Sequence, residues 1–183
     1  MKTDNVFYAF DQIIYYRLPR WNMYILIAFL LTSAAIAVLL FKSRLSVKKK
    51  IYSAILYVYS YNVLITTLFM RDKSDKRYFK LIPFTAIYNL IKEPKVINNW
   101  EFIFNTLLFV PIGLLLPCVF EKCKRFRTTL LVGFCTTLII ETIQIAAKIG
   151  VFETDDIITN TLGAVIGFGI YKVIHKRKLS HRN

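Results

Sequence analysis

Five long apolar runs constrain the fold of this chain more than any other feature of its sequence. They cover residues 22–41, 51–70, 102–120, 128–147 and 157–175. A helix needs about 20 predominantly apolar residues to cross roughly 30 Å of hydrocarbon, and each run is close to that length. The sequence therefore predicts an all-α fold, namely a polytopic integral membrane helical bundle with about five transmembrane helices.

The amino-acid composition also favours lipid as the surroundings of this chain. Hydrophobic residues make up 56% of the 183 positions, and the formal net charge is +14. In a soluble domain such a charge would suggest nucleic-acid binding. Here the Lys and Arg residues lie between apolar runs, where they set topology and contact anionic headgroups. We expect the lipid bilayer as a partner and no nucleic acid.

The connection between the second and third runs has apolar residues of its own. Its core, residues 81–97, is short, contains charged residues and is interrupted by Pro83 and Pro94. A transmembrane helix is longer and has fewer charges. We therefore predict an interfacial or re-entrant segment here.

Basic residues predict the orientation of the spans. Residues 42–50, 122–127 and 176–182 contain five, four and four Lys or Arg residues, and an odd number of spans puts these stretches on one side. Basic residues in short connections favour the cytoplasmic side. The segment 71–80 is basic too and weakens the contrast. We predict the N-terminus outside and the C-terminus inside.

On this topology, polar residues of four spans reach the same depth near the outer face. Glu141 and Gln144 are three apart in the fourth span and share a helix face, while Asn105 is about one turn inside the third. Polar groups inside a membrane usually face a partner or a wet cavity. We therefore predict an outward-facing polar pocket. Its candidate residues are Arg71, Asn105, Glu141, Gln144, Glu153, Asp155, Asp156 and Asn160.

Several of these candidates also have a structural explanation. Arg71 can be an anchor at the end of its helix. Asp155 and Asp156 suit the first turn of the fifth helix, with Thr154 as its N-cap, because carboxylates stabilise the positive end of the helix dipole. These alternatives stay open at the level of the sequence.

Interhelical contacts explain another part of the polar set. Asn105 and Asn160 can hydrogen-bond between helices, and Gly163 and Gly167 predict close helix packing. Glu141 is the hardest to explain structurally, because a carboxylate within a span costs a few kcal/mol unless it is paired, protonated or hydrated. Arg71 is its most economical partner.

No cofactor and no metal site are predicted. His181 lies in the basic tail, His175 is the last residue of the fifth run next to that tail, and Cys118, Cys123 and Cys135 show no C-x-x-C spacing. The interior of the spans therefore lacks histidine, the most usual general base.

Four short motifs in a fixed order resemble the VanZ-like family. They are residues 81–84 (LIPF), 105–117 (NTLLFVPIGLLLP), 141–144 (ETIQ) and 156–167 (DIITNTLGAVIG). Arg71 matches the arginine that precedes the family's Ile-Pro-Phe segment, and the likeness covers about residues 52–172. The resemblance implies an N-terminal segment with the first span at 1–50, a VanZ-like membrane domain at 51–175 and a basic cytoplasmic tail at 176–183.

The chain departs from the family in the loop before its last span. Many members have Arg-x-x-Asp-x-x-Asp there, whereas this chain has Gly150, Glu153 and Asp156 at those positions. This loop therefore lacks the arginine charge that those family members have, and Lys148 is the one basic residue in the loop that could replace it.

The resemblance implies a multi-pass protein of the bacterial cytoplasmic membrane that contributes to envelope protection or to resistance against teicoplanin-type glycopeptides. We favour a pocket that binds a lipid headgroup, a cell-wall precursor or a lipoglycopeptide. The alternative is a small membrane enzyme that modifies a lipid-linked substrate, with Glu141 as general acid or base and Asp155 and Asp156 holding a divalent cation. Recognisable catalytic constellations are missing. A transporter is a third possibility, although no inverted repeat is visible.

Overall fold

The computed structural model describes residues 23–69, 71, 73, 75–93 and 100–180. These residues form two compact units, which are divided between residues 45 and 46. In the first unit, helix α1 (Met23–Lys42) is apolar almost throughout. No residue of its hydrophobic window, Ile25–Lys42, is buried in the protein. Such a helix has lipid as its natural surroundings.

The second unit contains four long helices and one short one. They are α2 (Val47–Leu64), α3 (Thr85–Lys92), α4 (Glu101–Val119), α5 (Phe126–Ala147) and α6 (Thr154–Ser180). A π-helical turn, Ile65–Phe69, extends α2, and a 3-10 turn, Glu121–Lys124, links α4 to α5. Together with α1, the four long helices make five that are long and apolar enough to cross a membrane. The predicted all-α membrane bundle is thus confirmed.

Helix α4 forms the centre of the second unit. Its Phe109 is completely buried, and the core around it draws on α2, α4 and α5. The Tyr59 hydroxyl of α2 donates a hydrogen bond of 2.8 Å to the Leu108 carbonyl of α4. This bond fixes the two helices to each other close to Pro111, where the helical hydrogen-bond ladder lacks a donor.

Helices α4 and α6 approach each other so closely that their backbones touch. A methyl group built on Gly113 of α4 would overlap the Ala164 carbonyl oxygen. The same group on Gly163 or Gly167 of α6 would overlap the carbonyl oxygens of Thr106 and Val110. Small residues permit this approach, and van der Waals packing of this kind drives helix association in lipid.

The glycine contacts predict a sharp difference between two substitutions in α6. Gly167→Ala forces the two backbones apart, because a carbonyl oxygen cannot move aside as a side chain can. We expect it to destabilise the bundle by about 1–3 kcal/mol. Gly169 has no atom within 4 Å of the same built position. Gly169→Ala should therefore be neutral or slightly stabilising.

Thermal unfolding of the two purified variants in detergent checks this prediction. Equal unfolding midpoints for Gly167→Ala and Gly169→Ala would contradict the close packing of α4 on α6.

A two-stranded sheet and α3 cover the end of the bundle where α5 and α6 are joined. Strand β1 (Tyr78–Lys80) pairs in parallel with strand β2 (Val151–Glu153). The sequence did not predict these strands, which have only three residues each. The predicted interfacial or re-entrant segment contains α3, while Pro94 lies outside the described residues. The pairing of β1 with β2 thus joins the long connection between α2 and α4 to the loop before α6.

Candidate functional site

Polar side chains of four helices converge at the end of the bundle that β1 and β2 cover. We call this region the polar end, and define it by Arg71, Glu101, Glu141, Glu153 and Asp156. It combines the C-terminal ends of α2 and α5 with the N-terminal ends of α4 and α6. Arg71 interacts electrostatically with Glu101, Glu141 and Asp156, so these charges lie near one another.

Glu141 is buried at the polar end and bonded to the neighbouring loop. Glu141 is only 1% exposed, and its Oε2 accepts a hydrogen bond of 3.0 Å from the Glu153 backbone N–H. Among the described residues, Arg71 makes no ion pair with it within 4.0 Å, although their charges interact. Glu141 therefore orders strand β2 directly, and Arg71 acts on it at longer range.

Gln144 joins α5 to the end of α2. Its Nε2 donates a hydrogen bond of 3.0 Å to the Thr67 carbonyl in the π-helical turn. Irregular turns of this kind leave backbone groups that need a partner, and the Gln144 amide supplies one. Its Oε1 is buried and has no hydrogen-bond partner within the described part of the chain.

The loop before α6 lacks the arginine that many family members have, and the side chain of Arg71 lies next to this loop. The position of a Cβ on Gly150 would lie 3.1 Å from Arg71 Nη1 and 3.1 Å from Gln144 Oε1. Because Gly150 has no side chain, the Arg71 guanidinium can lie directly over it. A positive charge is therefore present at this loop even though the loop itself lacks an arginine.

Asn105 and Asn160 make the interhelical contacts that their structural explanation predicts. Asn105 Nδ2 donates a hydrogen bond of 2.7 Å to Asp156 Oδ1, which connects α4 to α6. Asn160 Nδ2 donates one of 2.9 Å to Thr137 Oγ1, which connects α5 to α6. Asn160 is only 5% exposed, so it is a buried contact between helices.

Asp155 caps helix α3 and does not face the other carboxylates. Its Oδ2 accepts hydrogen bonds of 2.8 Å from Thr85 Oγ1 and from the Ala86 backbone N–H, and its Oδ1 accepts one from the Phe84 N–H. Phe84 has a left-handed backbone conformation with φ of 65°. A carboxylate at a helix N-terminus satisfies unpaired N–H groups and favours the helix dipole. The adjacent Asp156 is oriented toward Asn105.

Loss of this cap should loosen α3 selectively. Asp155→Ala removes three hydrogen bonds, and removal of a cap typically costs about 0.5–2 kcal/mol. We expect faster amide hydrogen exchange in Thr85–Lys92, with little change in α4. Asp155→Asn keeps one acceptor oxygen, so its exchange rates in α3 should lie between those of the wild type and Asp155→Ala. Unchanged exchange in Asp155→Ala would contradict the capping role.

Lys80 and Glu153 form an ion pair at the edge of the sheet. Lys80 Nζ lies 2.9 Å from Glu153 Oε1, and the two side chains are 58% and 18% exposed. Burial alone would lower the pKa of the Lys80 ammonium, but the hydrogen bond to Glu153 and the charges of Glu153 and Glu101 raise it above its ordinary value. Lys80 therefore stays charged at neutral pH.

A cavity of about 490 Å³ opens beside this ion pair. It lies between strand β1, the turn that follows, helix α3 and the first residue of α4. The lining residues are Phe79, Lys80, Leu81, Ile82, Thr85, Ala86, Asn89, Glu101 and Glu153. Glu153 belongs to both this lining and the predicted pocket set.

Sequence reasoning missed most of this lining. Lys80 counted only toward topology, and Glu101, just before the third apolar run, was not among the predicted residues. The motif at residues 81–84 was the one signal near the cavity, since it includes Leu81 and Ile82. In the described part of the chain, no three His, Cys, Asp or Glu side chains are arranged to hold a metal ion. The alternative with a cation on Asp155 and Asp156 therefore gains no support.

The fold and the polar end define a multi-pass helical membrane protein with a cluster of charged and amide side chains at one end of its bundle. The profile of the VanZ/LLP1 family matches residues 29–175. The chain therefore belongs to the VanZ/LLP1 family.

A curated relative agrees with this family assignment. Protein VanZ of Enterococcus faecium is 30% identical over 125 residues, which are 67% of this chain and 66% of that protein. The chain thus matches slightly less than two thirds of this curated relative. No solved structure gave a significant match.

Proposed function

We propose that this protein protects the bacterial envelope, and lowers susceptibility to teicoplanin-type glycopeptides, by binding an amphiphilic ligand at its polar end. The candidate ligands are a lipid headgroup, a lipid-linked cell-wall precursor and the lipoglycopeptide itself. The observation that carries the proposal is the position of an open, charged cavity next to the cluster of Arg71, Glu141 and Asp156. Family membership supports the link to resistance.

The proposal includes an orientation with the N-terminus outside, the C-terminus inside and the polar end outside. The basic residues 48–50, in the first turn of α2, and the basic stretch 122–127, around the start of α5, lie at the opposite ends of these helices from the polar end. Basic residues in such connections favour the cytoplasm. In this orientation, envelope precursors and glycopeptides outside the cell can reach the polar end.

Binding explains the polar end better than catalysis does. A general acid or base must reach the proton that it transfers. Glu141 is almost fully buried, one of its oxygens is occupied by a backbone N–H, and it is not part of the cavity lining. Its contacts support a role in holding the loop that carries Glu153.

Cysteine labelling tests the orientation. Lys148 and Lys122 are exposed residues at opposite ends of α5, one at its C-cap and one just before it begins. In a background without the three native cysteines, Lys148→Cys should react with a membrane-impermeant maleimide in intact cells. Lys122→Cys should react only after permeabilisation. The reverse pattern would invert the proposed topology.

Substitutions at the polar end test the link to resistance. Glu141→Gln removes a charge but keeps an acceptor oxygen, and Arg71→Ala removes the positive charge. Both residues contact the loop that carries Glu153, and loss of one charge-assisted interaction that positions this loop costs about 1.5–3 kcal/mol, which is roughly tenfold or more in an equilibrium constant. We expect both variants to lose most of the protection against teicoplanin that the wild-type protein gives to a susceptible host.

Glu121→Gln is the matched control for these variants. Glu121 is exposed at the other end of the bundle, where its carboxylate pairs with Lys124 at 2.7 Å. This variant should protect as the wild type does. All strains must contain equal amounts of protein in the membrane. Full protection by both Glu141→Gln and Arg71→Ala would rule out the polar end as the functional site.

A further inference from the structure

We infer that the cavity beside the Lys80–Glu153 ion pair binds the headgroup of an aminophospholipid, with Glu101 receiving its primary ammonium and Lys80 its phosphate. This inference rests on the proposed binding of an amphiphile at the polar end, and names the chemical class of the ligand. It depends on residues that the family motifs do not include, apart from Leu81 and Ile82 at the rim.

Glu101 is the available carboxylate of the cavity. Within the part of the chain that the structure describes, its side chain makes no hydrogen bond and no ion pair. Glu153, the other acidic residue of the lining, already accepts a hydrogen bond from Lys80. Among the described residues, Glu101 thus has no hydrogen-bonding or ion-pair partner for its carboxylate, and an ammonium group is the natural complement of this charge.

Lys80 gives the cavity a second, opposite recognition element. An ammonium has three N–H donors, and the Lys80 side chain is 58% exposed after one donor has gone to Glu153. A phosphate oxygen can accept from the remaining donors. Glu101 and Lys80 line the same cavity and interact electrostatically, so a headgroup in this cavity can face both charges. A phosphate followed by a primary ammonium reproduces this pair of charges.

The rim of the cavity has the apolar surface that an acyl chain needs. Phe79, Leu81 and Ile82 line the cavity and are 58%, 59% and 72% exposed. Phe84 and Ile91 extend the exposed apolar surface along α3. Apolar side chains exposed next to a charged site suit a ligand with a polar head and a hydrocarbon tail. A free amine would leave this surface without a partner.

The volume of the cavity agrees with a headgroup. Sites for small molecules are commonly about 300–1,000 Å³, and this cavity has about 490 Å³. Helix α3 and strand β1 form two of its walls, and Asp155 and the β1–β2 pairing hold both walls in place. The site is therefore largely preformed, which lowers the entropic cost of binding.

Lipid binding to the full-length protein in detergent tests the inference. Acyl-labelled phosphatidylethanolamine is titrated against the wild type and compared with phosphatidylcholine, whose quaternary ammonium has no N–H, and with phosphatidylglycerol, which has no ammonium. We expect phosphatidylethanolamine to bind most tightly. Glu101→Gln should weaken its binding roughly tenfold, and Glu101→Asp should restore much of it.

Glu121→Gln again provides the control, and its affinity for phosphatidylethanolamine should equal that of the wild type. Equal unfolding midpoints for all variants show that the site is folded. The inference is overturned if the three lipids bind equally, or if Glu101→Gln leaves the preference unchanged. It is also overturned if teicoplanin binds the cavity and displaces every lipid to the same extent, which would assign the cavity to the antibiotic.

The two proposals fail in different ways. If phosphatidylethanolamine binds as expected but Glu141→Gln and Arg71→Ala still protect against teicoplanin, the ligand inference stands and the proposed role of the polar end in resistance falls. If those variants lose protection while Glu101→Gln binds every lipid as the wild type does, the ligand inference falls and the proposed function stands.

Discussion

Backbone contact between α4 and α6 is the constraint on which the rest of this structure depends. In lipid there is little hydrophobic driving force for helix association, so the affinity between helices comes from close packing and from polar contacts. Glycines 113, 163 and 167 allow the two backbones to touch. This contact brings Asn105 within 2.7 Å of Asp156, and it aligns the N-terminal ends of both helices at the polar end. The geometry of the site is thus a consequence of packing deeper in the bundle.

Three polar side chains in or beside the polar end bond to backbone groups. Glu141 accepts from the β2 backbone, Gln144 donates to the π-helical turn of α2, and Asp155 caps α3. Buried polar groups without such partners cost free energy, so the cluster first stabilises the irregular backbone around it. A different set of residues, from β1, α3 and α4, lines the open cavity. The scaffold and the cavity meet at Glu153.

The sequence could predict the spans because hydrophobic length is a local property. The sequence also predicted that Asn105, Glu141 and Asp156 lie at one depth in the membrane, because the order and length of the spans determine the depth of each residue. It could not separate Asp155 from Asp156, because neighbouring residues on a helix differ only in direction, and tertiary contacts decide which neighbour each one meets. The sequence could not predict the three-residue strands or the position of Glu101 in the cavity lining. They depend on pairings between distant segments, which have no periodic pattern in the sequence.

The cap on α3 also has a consequence for the order in which the protein is assembled. Phe84 and the carboxylate that binds its N–H are 71 residues apart in the chain, and Tyr78 pairs with Val151. When residues 78–92 leave the ribosome, both partners are still unsynthesised. Their backbone groups must remain hydrated at the membrane surface until the last span is inserted. The polar end is therefore completed last, and its final geometry is present only once the whole bundle has formed.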